Sequence, residues 1–276
     1  MTEPLPPHKG RKATLDILHL PCATHRVESF TAAAAPNLPG GAPYRLFRAV
    51  PRAARGPHPV LYMLDGIAAF DFLTVDLLAQ VPDLAVIGIG YATEQQFARA
   101  ERVFDYTPTP DGQSWPDPHH EGRIAGGGPG FIARLIGALR QEAEAGVQVD
   151  PVRRMLWGHS LGGLCALQVM AQAPGAFARY AAISPSIWWS EALAQEMIAR
   201  VTLAPGTPVL IAMGDSEKRT GSGEAPAGPP PLTLAAAGQL RTRPGVDLRL
   251  QIYPGAVHIA TLPASLPAAL SLAAAP

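Results

Sequence analysis

Ser160, then Asp215 with Glu217, then His258 follow one another along the chain, and together they are the parts of a nucleophilic hydroxyl site. A neutral serine hydroxyl attacks poorly unless a base lies within hydrogen-bond reach, and the base needs a third group to fix its tautomer. Ser160 stands in Gly158-His159-Ser160-Leu161-Gly162, after the apolar run Met155-Leu156-Trp157 and before a helical pattern. That context predicts a nucleophile elbow, a strained strand-to-helix turn with glycines where side chains would collide with the neighbouring strand or helix. His258 is the only histidine after Ser160 and is the expected base. Asp215 and Glu217 share one loop, and spacing alone leaves the acid open between them. The tetrahedral oxyanion expected in such chemistry needs backbone N–H donors, for which Leu161 and Ile67 are the candidates. Asp65 precedes Ser160 and is expected to serve the turn structurally.

The elements that must position these groups alternate. Arg26 to Ala33 and Tyr44 to Val50 suit an antiparallel opening hairpin. Pro59 to Gly66 and Leu84 to Tyr91 are unbroken apolar runs, the pattern of strands buried on both faces of a parallel sheet. Further strands are predicted at Arg153 to His159, Tyr180 to Ile183, Pro208 to Met213 and Asp247 to Tyr253. Helices are predicted at Ala68 to Leu78, Phe131 to Gly146, Leu161 to Gln172, Glu191 to Arg200, Leu232 to Leu240 and from beyond His258 to Ala273. The alternation implies an α/β fold, a mostly parallel central sheet flanked by helices on both faces. Its ligand crevice should lie beyond the carboxyl ends of the strands, where Asp65, Ser160, Asp215, Glu217 and His258 all fall. Residues 1–24 read as an N-terminal arm, laid on the surface or disordered, and 25–276 as a single domain. Residues 92–129 and 218–231 read as long Pro- and Gly-rich loops.

Composition removes other classes of function. The formal net charge is zero, so no basic face for nucleic acid is expected. No apolar run is long enough to span a bilayer, and Met1 to Leu20 lacks the apolar core of an export signal, so a cytoplasmic protein is expected. The two cysteines, Cys22 and Cys165, are too few for a disulfide framework. Gly126 to Gly130 lacks the lysine, the spacing and the strand of a phosphate loop. His119-His120-Glu121 lacks a metal-binding arrangement and is expected to be a solvated loop, so neither metal nor cofactor is expected.

From about Tyr44 to Leu272 the chain resembles α/β-hydrolase esterases of the ferric-siderophore hydrolase type, related to enterobactin and salmochelin trilactone esterases and more distantly to S-formylglutathione hydrolases. The motifs are Leu64-Asp65-Gly66, Ile87 to Tyr91, Arg102 followed by Asp105-Tyr106-Thr107-Pro108, Gly158 to Gly163, and Ser184-Pro185-Ser186-Ile187-Trp188-Trp189. The resemblance implies a serine esterase acting on a small-molecule ester or lactone, a ferric siderophore above all. It favours Glu217 over Asp215, through a Gly-x-x-Glu pattern matched by Gly214 to Glu217. It adds Arg102 as a cation beside an anionic substrate, against a structural pair with Asp105 or Glu101, and Trp188 and Trp189 as an aromatic wall, one of them packed inside. The alternatives are a broad carboxylesterase or thioesterase, and a non-catalytic ligand-binding protein of the same fold.

Overall fold

The computed structural model describes residues 11–53, 56–217 and 228–276. Its main sheet is built from β1 (His25–Thr31), β2 (Tyr44–Pro51), β3 (His58–Leu64), β4 (Ala85–Tyr91), β7 (Val149–His159), β8 (Arg179–Ile183), β9 (Thr207–Gly214) and β10 (Val246–Tyr253), while β5 (Trp115–Pro116) and β6 (Ile124–Ala125) form a separate hairpin. The order across the sheet is β1-β2-β4-β3-β7-β8-β9-β10. β2 runs antiparallel to both of its neighbours, and from β4 to β10 every pairing is parallel. The opening hairpin and the parallel sheet are therefore as expected from the apolar runs.

Period-2 alternation divides the core. Along β3, Val60, Tyr62 and Leu64 point to one apolar layer and Leu61 and Met63 to the other, and all five are fully buried. The first layer is closed by α3 (Arg99–Tyr106), α4 (Gly128–Ile136), α6 (Leu161–Gln172), α7 (Glu191–Arg200) and α8 (Pro231–Arg241). The second is closed by α1 (Gly66–Phe72), α2 (Val75–Ala79) and α9 (Thr261–Ala274). Trp157, beneath the elbow, is fully buried in the second layer, and its indole N–H donates to Ser265 Oγ on α9 at 3.1 Å. The large ring contributes apolar burial while its polar edge stays satisfied.

Three expectations need correction. Ala68 to Leu78 is not one helix, because Thr74 caps a new one, its hydroxyl accepting the Leu77 N–H at 3.2 Å. Phe131 to Gly146 is likewise split into α4 and α5 (Ala138–Glu144), with the break at Gly137, whose backbone leaves helical geometry. Residues 92–129 are not an unstructured loop, since they contain α3 and the β5–β6 hairpin. Thr107 ties that hairpin to α3, its hydroxyl donating to Val103 O and accepting the Gly126 N–H.

Residues 11–24 lie against the body, with the Ala13 N–H on Glu94 O and the Thr14 and Leu15 N–H groups on Asp71. The expected arm at 1–10 and most of the expected loop at 218–231 lie outside the described residues. No helix among the described residues is long and apolar enough to cross a membrane.

Candidate active site

Ser160 joins β7 to α6 with φ 61° and ψ −118°, a strained conformation for a residue with a side chain. The turn closes only without side chains around it, because a Cβ on Gly158 would lie 2.1 Å from the Gly162 carbonyl oxygen. The Ser160 N–H donates to Ile183 O at 2.9 Å, which fastens the elbow to the end of β8.

His258 opens a short 3-10 turn between β10 and α9, and its Nδ1 lies 2.8 Å from Glu217 Oε2. An ionised carboxylate only accepts, so Nδ1 donates to it, and in the neutral imidazole this leaves the lone pair on Nε2. Glu217 Oε1 accepts the Ser184 hydroxyl at 2.6 Å and the Gly214 N–H at 2.7 Å. Burial pushes this carboxyl upward, but the bonds and charge from His258, with those from Ser184 and Gly214, outweigh it and hold the group below its ordinary value. The glutamate is 8% exposed and the imidazole 34%, so the carboxylate is shielded while the imidazole is open to solvent. The His258 carbonyl is held by the Thr261 hydroxyl at 2.7 Å and by His159 Nε2 at 2.9 Å.

Asp215, the other acid candidate, is engaged elsewhere. Its Oδ1 accepts the Gly255 N–H at 2.6 Å and the Ser216 hydroxyl at 3.0 Å, binding the loop after β9 to the loop after β10.

Ile67 and Leu161 occupy the first turns of α1 and α6, where amide N–H groups have no intrahelical acceptor. The turn before α1 is tight: a Cβ on Gly66 would lie 2.7 Å from the Gly88 carbonyl carbon. Asp65 enters it with φ 52° and receives Arg102 in a two-pronged pair, Nε to Oδ1 and Nη2 to Oδ2, both at 2.8 Å. The partner of Arg102 is therefore neither Asp105 nor Glu101. Burial would weaken this cation, yet Asp65 more than offsets that and raises its pKa, and the guanidinium stacks over Phe97 and Tyr106. Tyr106 OH accepts the Asp65 N–H at 3.0 Å, and Asp105 accepts the hydroxyls of Tyr44 and Tyr91, each at 2.8 Å. The Arg102 to Pro108 stretch thus forms a buried buttress behind the turn that carries Ile67.

Trp188 is 39% exposed and Trp189 only 3%. Trp189 is packed, its indole N–H on Asp117 Oδ1 at 3.3 Å and its carbonyl 2.7 Å from His119 Nε2. Trp188 meets the His119 ring edge-on at 4.9 Å. His119 and His120 lie exposed on the hairpin, as a solvated loop predicts, yet both are held: the first latches the hairpin to the Ile187–Trp189 turn, and the second bonds Asp117 Oδ2 at 2.9 Å. Among the described residues no group of three or more His, Cys, Asp or Glu could hold a metal ion.

Three hydroxyls take places here that the sequence reading did not assign them. Ser184 and Thr261 support Glu217 and the His258 carbonyl, and Ser186 Oγ lies 3.1 Å from Ser160 Oγ. Among the described residues Ser160 Oγ bonds Ser186, not His258. Ser184 and Ser186 directly follow β8. A polar residue just past the carboxyl end of a parallel strand is a usable signal; it marks the Ser184 to Trp189 motif, in which only the tryptophans receive a role from sequence.

The family described as "Putative esterase" matches residues 45–228, a stretch that holds Ser160 and Glu217 and ends before His258. The ferri-bacillibactin esterase BesA of Bacillus subtilis (strain 168) is 36% identical over 167 residues, which are 54% of this chain and 55% of that protein. The apo-salmochelin esterase of Escherichia coli O6:H1 is 34% identical over 166 residues, 57% of this chain and 51% of that protein. The chain thus spans about half the length of these curated relatives. Among solved structures, the enterobactin hydrolase IroE in complex with DFP has a TM-score of 0.70 at 27% identity, covering 94% of this chain and 99% of that one. An S-formylglutathione hydrolase from Agrobacterium tumefaciens shares the fold, with a TM-score of 0.63 at 14% identity over 92% of this chain and 96% of its own.

Proposed function

We propose, from the premise that this chain belongs to the esterase family matched over residues 45–228, that it is a serine esterase cleaving an ester or lactone bond of a siderophore. The observation that carries the chemistry is the Glu217–His258 pair at 2.8 Å, set at the same sheet edge as the strained Ser160. In this reading the Ser160 hydroxyl gives its hydrogen to His258 Nε2, a contact of the kind that tightens only when substrate is bound, while its oxygen stays beside Ser186. His258 takes the hydroxyl proton as Oγ bonds the carbonyl carbon, and the Ile67 and Leu161 amides hold the oxyanion. His258 then gives its proton to the departing alcohol. Water, deprotonated by His258, attacks the acyl-enzyme and releases the acid, while the imidazole proton returns to Ser160.

The substrate class is supported by the relatives, whose names specify bacillibactin, salmochelin and enterobactin, and by the half-exposed Trp188, an aromatic face for catechol rings. Arg102 acts first on Asp65 and so on the oxyanion turn, because its charge is already met there. The buried free thiols of Cys22 and Cys165 suit a reducing compartment, and a cytoplasmic site of action is part of the proposal. The test is hydrolysis of a ferric siderophore lactone and of p-nitrophenyl acetate by wild type and Ser160→Ala. Loss of both activities in the variant, with a higher kcat/KM for the siderophore in wild type, is expected. Equal rates in wild type and variant would refute the chemistry, and indifference to the siderophore would refute the substrate class.

A further inference from the structure

Ser186 is 1% exposed, and its backbone N–H donates to Ser160 O at 3.1 Å, so its backbone is fastened to the elbow and its side chain is enclosed beside it. Among the described residues, Ser160 Oγ is the hydrogen-bond partner of Ser186 Oγ, at 3.1 Å. In the resting site either hydroxyl can donate. Once the Ser160 proton has moved to His258, Ser160 Oγ has none to give, and the bond persists only with Ser186 donating.

We propose, building on the serine-esterase reading, that Ser186 is a further catalytic residue, a hydrogen-bond donor to Ser160 Oγ that acts chiefly when this oxygen is the leaving group. A donor on a nucleophile has two opposed effects in acylation, since it stabilises developing negative charge but also blunts the attacking lone pair. In deacylation the effects do not oppose each other. The bond from Ser160 Oγ to the acyl carbon breaks, its electron pair returns to Oγ, His258 supplies the proton, and the Ser186 O–H stabilises the charge that builds meanwhile. Ser186 is therefore expected to speed the second half-reaction more than the first.

The experiment is stopped-flow hydrolysis of p-nitrophenyl acetate by wild type, Ser186→Ala, Ser186→Thr and Ser160→Ala, with thermal denaturation and fluorophosphonate labelling as controls for folding. Loss of one hydrogen bond to a developing charge costs about tenfold to a hundredfold in rate. Ser186→Ala should lose that much kcat, show a nitrophenol burst near one per enzyme, and keep its burst rate within about threefold of wild type. Ser186→Thr, which retains the hydroxyl, should recover most of kcat. The proposal is overturned if Ser186→Ala keeps kcat within twofold, or if the burst rate falls as far as kcat. Labelling of Ser186→Ala at the wild-type rate keeps either result interpretable, because it reports an intact elbow. A wild type no faster than Ser160→Ala overturns instead the esterase reading on which this proposal rests.

Discussion

Replacing Glu217 by glutamine tests the geometry more sharply than deleting it. The carboxylate takes three donors, Ser184 Oγ and the Gly214 N–H on Oε1 and His258 Nδ1–H on Oε2. Glutamine satisfies the first two with its carbonyl oxygen, which turns its NH2 toward Nδ1. A donor there stabilises the tautomer with the proton on Nε2, the nitrogen that must be bare to accept the Ser160 proton. A wrong tautomer in an otherwise intact triad costs about 10⁴ in kcat in the serine protease precedent, or roughly 5 kcal/mol of barrier at 1.36 kcal/mol per decade. For Glu217→Gln we expect a kcat loss on the order of 10³ to 10⁴ with little change in KM. Glu217→Ala leaves the imidazole free to choose its tautomer and should lose only about 10- to 100-fold. It should also denature at lower temperature, because the Ser184 hydroxyl and Gly214 amide lose their acceptor. The assay is steady-state hydrolysis of p-nitrophenyl acetate by both variants, with melting curves. Glu217→Gln activity within about threefold of wild type, or clearly above that of a folded Glu217→Ala, refutes the tautomer argument.

Two further outcomes follow from the buttress behind the oxyanion turn. Arg102→Ala strands the Asp65 carboxylate, whose side chain is 2% exposed, and breaking such a pair costs about 3–5 kcal/mol. Urea denaturation should show this loss, and adding Asp65→Asn should recover part of it; an additive double variant would speak against the pair. Burial raises the Asp105 pKa to about 6 despite the bonds from Tyr44 and Tyr91. Because the folded value lies above the unfolded one, this group's contribution is fully present below about pH 4 and is lost as pH rises through about 6, a change on the order of 3 kcal/mol. Asp105→Asn should remove that fall between pH 4 and 7 in melting curves, and an unchanged slope would contradict the assignment.

The parts of the site legible in the sequence were those encoded locally. β3 and β4 are uninterrupted apolar stretches because both of their faces are covered, and the elbow announces itself because only glycine fits at Gly158. Which of Asp215 and Glu217 bonds His258 was not a local matter, and the family resemblance favoured Glu217 without giving the cause. That cause is the Gly255 N–H, which captures Asp215 from the next strand–helix loop, while Ser184 and Gly214 prepare a cradle for Glu217. Arg102 was noticed, but its partner Asp65 lies 37 residues away and is brought there only by docking α3 beside the sheet. Ser186 carried no periodic signal, since its importance depends on the elbow folding back on it. The break between α4 and α5 was hidden because apolar spacing continues across Gly137 even though the backbone does not.

The segment Ser184-Pro185-Ser186 has a mechanical consequence. At one end the Ser184 hydroxyl grips the acid and its N–H is fastened to Ala212 O at 2.7 Å; at the other the Ser186 amide and hydroxyl grip Ser160. Pro185 between them has a locked φ and lies against Gly163, where a Cβ would come within 3.0 Å of its Cα. Three consecutive residues therefore act as a gauge block between Ser160 and Glu217, so thermal drift at one end is transmitted to the other instead of opening the gap between them. A one-residue insertion here would misset both ends together, whereas lengthening the exposed tip of the β5–β6 hairpin would leave the spacing untouched.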